Sequence, residues 1–183
     1  MIKRCEPPAG IGPAVAFFAA LSSAVDLARL NPQPFCRYRS RPEAIYAAVV
    51  IVVMGALAAA TGRLEPAGLL WNPPLMLAWV AAGAWLLVNL AWRIYGLRLE
   101  YREILLLLAF VSIMGWATVV QYVPVLGSLL SNGGKIWGVV TLVAALEKLH
   151  GLNRRQALVT VVLAVVMMTI LSRLMVPNIL RLF

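Results

Sequence analysis

Residues 157–176 read ALVTVVLAVVMMTILSRLMV, twenty positions with a single ionisable group, Arg173, near the far end. A helix of that length covers roughly 30 Å, the thickness of the hydrocarbon layer of a bilayer. The rest of the chain repeats the composition. Of 183 residues, 62% are apolar and 13% charged, a charged share about half that usual in soluble domains. A soluble fold of this size has too little polar surface to cover so much apolar material. The expected class is therefore an all-α integral membrane bundle.

Four more apolar runs precede that one. They fall at about 44–61, 70–92, 104–122 and 135–149, which makes five transmembrane helices within residues 42–177. Trp71 and Trp92 lie near the ends of the second run, where an interfacial aromatic belt belongs. Asn72-Pro73-Pro74 suits a helix start, since proline is tolerated in the first turn. The 135–149 run is the shortest, with a clean apolar core from Ile136 to Leu146 only. Lys135 and Lys148 extend it by reaching toward opposite surfaces. Its preceding stretch, VPVLGSLLSNGGK, reads as a loop, with Asn132-Gly133-Gly134 as a turn. Residues 178–183 form a short external tail.

Residues 1–41 form a cytoplasmic N-terminal segment. Pro7, Pro8, Gly10, Gly12 and Pro13 stand where the apolar core of a cleaved signal belongs, so no signal peptide is expected. A helix from Pro13 to Leu30 follows, opened by Pro13 and closed before Asn31-Pro32. Ser22, Ser23, Asp26 and Arg29 group toward one side, and Asp26 and Arg29 are spaced to pair. The helix is expected to lie flat as an interfacial amphipathic helix, with a sixth crossing as the alternative. Cys5 and Cys36, both in this segment, read as inert thiols.

Charge orients the chain. With the N-terminus inside, the cytoplasmic side holds Lys3, Arg4, Arg29, Arg37, Arg39, Arg41, Arg93, Arg98, Arg102, Lys148, Arg154 and Arg155, 12 of the 16 basic residues. Arg63, Lys135, Arg173 and Arg181 take the other side. This is a positive-inside pattern with the C-terminus outside. It also explains the net charge of +9 without nucleic acid, because the cations sit in short clusters between apolar runs. Arg37, Arg39 and Arg41 make a basic collar suited to anionic lipid headgroups or a partner. Thirteen arginines against three lysines and an alanine-rich content suggest a GC-rich bacterium, hence a bacterial inner membrane.

The stretches FVSIMGWATVVQYVPVLGSLL and KIWGVVTLVAALEKLHGLNRRQALVTVVLAVVM resemble the bacterial branch of the Yip (Ypt-interacting protein) domain family. Gly115-Trp116 followed by Pro124 is similar to that family's Gly-aromatic step and proline in its third span. Residues 145–157, ALEKLHGLNRRQA, look like its junction between spans four and five. The resemblance covers roughly Pro13 to Val176 and implies five spans with the N-terminus inside. The Asp-Leu-Tyr-Gly-Pro signature of eukaryotic members is absent from this sequence, so no Rab-type GTPase partnership carries over.

Few residues can carry chemistry. Glu147 and His150 are three apart on a helix and share a face, which makes either a proton relay or partner spot, or a charged helix end at the water boundary. Asn89 and Gln121 lie within spans and either line a path or hydrogen-bond between helices. Glu100 and Glu103 flank Tyr101 and Arg102 as a salt-bridged helix entry. Gly83, among Ala78, Ala81, Ala82 and Ala84, permits close helix approach. Gly133-Gly134 lacks the Lys-Ser/Thr ending of a phosphate loop. No Ser-His-Asp set, His-Glu-x-x-His or metal-ligand spacing occurs in the sequence, so neither an enzyme nor a cofactor is expected. The expected role is a non-enzymatic membrane protein that works by in-membrane contacts, as scaffold, assembly or regulatory partner or lipid organiser, with a membrane protein or a second copy as partner. A small transporter or channel for an ion, metabolite or lipid is the alternative.

Overall fold

The computed structural model describes residues 13–31, 35, 43–61, 66–112 and 126–179. Within them the chain is all-helical, with six helices and no strand. These are α1 (Pro13–Ala28), α2 (Glu43–Thr61), α3 (Pro66–Tyr95), α4 (Tyr101–Val111), α5 (Leu126–His150) and α6 (Arg154–Ile179). Gln121, the collar of Arg37, Arg39 and Arg41, both cysteines, and Gly115, Trp116 and Pro124 lie outside the described residues, as does most of the 178–183 tail.

Short α4 is the hub, packed by α1, α2, α3 and α5. Its Ile104, Leu106, Leu107, Ala109 and Phe110 are all buried. The α2 helix turns Ala44, Ala47, Ala48, Ile51, Val52 and Ala56 inward, a stripe with helical period. It packs chiefly on α3. Most of the α6 surface remains outside the core: among its described side chains only Ala157, Thr160, Val161 and Ala164 are buried, while α3 and α5 cover that one side. At Gly83 the α3 helix faces both α4 and α6. A Cβ placed there would lie 3.4 Å from Leu108 Cδ1 of α4 and 3.9 Å from Met168 Cε of α6.

Among the described residues two helices are long and apolar enough to cross a membrane, Pro73–Tyr95 within α3 and Arg154–Arg173 within α6. The other three expected spans differ. The α2 helix matches 44–61 to within a residue, but its described apolar part, Glu43–Leu57, is short. The α4 helix stops at Val111 with Ser112 as its C-cap, and 113–122 lies outside the described residues. The α5 helix is longer than expected. It begins at Leu126 and runs through Asn132-Gly133-Gly134, where a turn was expected. Each glycine costs a helix about 1 kcal/mol, which an already nucleated helix can absorb because each added residue still gains its backbone bond.

The α1 helix is seated on α2, α4 and α5. Ser23, Ala24 and Leu27 are buried, and Phe18 and Val25 are exposed. Ser23 therefore does not join a wet polar face as the sequence suggests. Its hydroxyl donates to the Ala19 carbonyl at 2.8 Å, which lets it be buried in the helix packing.

Candidate functional site

The chemistry-bearing side chains gather at one end of the bundle. The α3 helix ends at Gly96, whose φ of +68° is the left-handed conformation glycine adopts without strain. Five residues later α4 begins. The α5 helix ends in the same way at Gly151, also at φ +68°. Asn153 and Gln156 then open α6 reciprocally: the Arg155 amide donates to Asn153 Oδ1 at 3.4 Å, and the Asn153 amide donates to Gln156 Oε1 at 3.0 Å.

The two turns are joined by His150, the last residue of α5. Its Nδ1 lies 3.8 Å from Glu103 Oε2 in the first turn of α4, with the two side chains 9% and 20% exposed. The structure thus gives His150 a carboxylate neighbour on another helix, Glu103, whereas spacing alone pointed to Glu147, which is exposed. Two residues earlier, Lys148 Nζ donates to the Leu30 carbonyl at 2.8 Å. Higher on α5, Trp137 Nε1 donates to the Ala28 carbonyl at 2.7 Å. The C-terminal carbonyls of a helix have no intrahelical partner; here Trp137 takes up that of Ala28, the last residue of α1, and Lys148 that of Leu30 in the turn beyond it.

Among the described residues Asn89 bonds within its own helix. Its Nδ2 donates to the Trp85 carbonyl of its own helix at 2.7 Å. Tyr101 does reach across, donating its hydroxyl to the Ala81 carbonyl of α3 at 3.2 Å. Phe35 is fully buried and meets Phe110 of the hub edge to face at 5.4 Å. Sequence reading passed over Phe35, Trp137 and Leu30. Only the contrast between an isolated aromatic and its polar surroundings marks Phe35, and nothing local marks the other two.

Arg93, Arg98, Arg154, Arg155 and Lys148 are all exposed at this end, as are Glu100 and Glu147. Among the described residues no group of three or more His, Cys, Asp and Glu side chains could hold a metal ion. A carboxylate–imidazole pair of this kind holds elements together or exchanges a proton, and the exposed guanidiniums are suited to anions.

Fold and site together define a helical-bundle protein in which two helices have membrane-crossing length and composition. No protein-family model, curated protein or solved structure matches the chain.

Proposed function

We propose that this chain is a multi-span protein of a bacterial inner membrane, with its N-terminus inside, that acts without catalysis through contacts in the plane of the membrane, as scaffold, assembly or regulatory partner or lipid organiser. Its topology on this reading is five crossings, as in the Yip family, with α1 docked at the cytoplasmic interface. The observation that carries the reading is the outer surface of α6. From Leu158 to Leu171 its exposed residues are Leu158, Val159, Val162, Leu163, Val165, Val166, Met167, Thr169, Ile170 and Leu171. Thr169 alone is polar, and its hydroxyl donates to its own helix at Val165. Water does not tolerate an apolar face of that extent on a monomer, and lipid does. The α3 helix adds exposed Leu75, Met76, Trp85 and Trp92.

Orientation is supported by the Glu103–His150 contact, which brings the arginines of the 96–100 and 151–155 turns to one end. Topology is tested in a background with Cys5 and Cys36 replaced by serine. Single cysteines at Arg98 and Arg155 are expected to react with an impermeant maleimide only after the cells are opened, and one at Arg173 in intact cells. Labelling of the first two on opposite faces, or recovery of the chain in the soluble fraction after an alkaline wash, would remove this reading. Co-purification in mild detergent identifies the partner, and a chain that carries a solute flux in liposomes would transfer the proposal to the transporter reading.

A further inference from the structure

Along α6 the exposed face is a continuous stripe with a cationic head. Arg155 is followed at helical spacing by Val159, Val162, Val166 and Ile170, all exposed. From Arg155 to Ile170 the sixteen residues span roughly 22 Å, more than one leaflet of the hydrocarbon layer. Arg154 heads a parallel row through Leu158 and Val165. The neighbouring α3 brings exposed Trp92 and Arg93 to the same end. The Arg155 amide is already engaged by Asn153, so recognition there falls to the guanidiniums, whose planar forks match a phosphate oxygen pair.

We propose that Arg154 and Arg155, with the apolar stripe below them on α6, form a binding site for one anionic phospholipid. This inference rests on the membrane reading above and names a ligand for that same helix. An acidic peptide or a free phosphate would use the arginines and leave the stripe without a role. An amphiphile with an anionic diester head and hydrocarbon tails fits both parts. Glu147 is the nearest exposed acid in sequence on α5. It carries one negative charge against the two of the arginine pair and does not reverse their sign.

The test uses the full chain in zwitterionic detergent micelles. Phosphatidylglycerol, phosphatidylcholine with the same acyl chains, and inorganic phosphate are titrated in turn, with retained lipid read by native mass spectrometry and melting read in parallel. Phosphatidylglycerol is expected to stay bound and raise the melting temperature, while the other two do neither. The R154Q/R155Q variant should bind it more weakly by about fivefold for each arginine removed. R154K/R155K should retain part of the binding, and R173Q at the far end of the same helix should bind as the wild type does. Equal effects of the two lipids, full effect from phosphate alone, or unchanged binding by R154Q/R155Q would overturn the proposal. The headgroup comparison on the wild-type chain decides the matter even where a variant does not fold. A chain that needs detergent yet shows no headgroup preference defeats this site alone, whereas a chain monodisperse without detergent defeats the membrane reading itself.

Discussion

Lys148 Nζ meets the Leu30 carbonyl at 2.8 Å, and that carbonyl is presented by a residue with φ of 60°. Leu30 is the one non-glycine with positive φ among the described residues. The turn closes as a Schellman motif: the Leu30 amide donates to Leu27 at 2.8 Å and the Asn31 amide to Asp26 at 2.9 Å. A leucine held there costs about 1–2 kcal/mol. The ammonium beside the C-terminal end of the α1 dipole, and the indole of Trp137 on Ala28, help offset that cost.

The clasp predicts that Lys148→Met and Trp137→Phe each loosen α1. Either change removes a donor and leaves a carbonyl short of its partner, worth about 1 kcal/mol. In a chain of this size that lowers the melting temperature by roughly 2–4 °C. Arg29 is exposed at the end of α1, so tryptic cleavage there should accelerate in both variants. Unchanged cleavage in the double variant would show that α1 is held by its apolar side alone.

The strain at Leu30 makes a second prediction with opposite signs. Leu30→Gly relieves the left-handed penalty and gives up a half-buried side chain, so its melting temperature should stay within a few degrees of the wild type. Leu30→Val places a β-branched residue in the same conformation and should cost at least 1 kcal/mol more than glycine. If valine melts with or above glycine in detergent, the left-handed turn is not what sets stability there.

These contacts mark where sequence reading reached its limit. Periodic and apolar runs are local, so helix positions were legible: α2 and α6 fall within three residues of their expected starts and ends. The small residues around Gly83 pointed to close helix approach, yet a Cβ there would meet Leu108 and Met168 only at ordinary contact distance. The partner of His150 was not legible. Helical spacing offered Glu147, and only the tertiary arrangement brings Glu103 from another helix to 3.8 Å. Asn89 likewise had two plausible uses, and its own helix supplied the acceptor. The 126–134 stretch misled because glycine pairs mark turns when nothing else decides, and here a helix runs through them.

The Glu103–His150 contact predicts a coupling between α4 and α5. A double-mutant cycle with Glu103→Gln and His150→Gln should give about 0.5–1 kcal/mol. Melting of the four proteins in detergent measures it. Strictly additive effects of the two substitutions would mean that the pair does not tie the two helices together.

Gly83 gives the last prediction, because its surroundings separate two substitutions that differ only in size. A Cβ at Gly83 would sit 3.4 Å from Leu108 Cδ1 and 3.9 Å from Met168 Cε, and both neighbours are ends of flexible side chains. Gly83→Ala should therefore be accepted, and the gain of about 1 kcal/mol in helix propensity should hold or raise the melting temperature. Gly83→Leu drives several further atoms into the meeting of α3, α4 and α6, and overpacking of that kind costs about 1–3 kcal/mol. Since α6 touches the bundle on one narrow side, the excess volume should push α6 outward rather than disturb the α4 hub. A cysteine at Ala164, buried on α6, should then gain reactivity toward a lipid-soluble maleimide, while one at buried Ala109 on α4 should not. Equal gains at both positions would mean that α6 is as firmly held as the hub and that its apolar face has a protein neighbour.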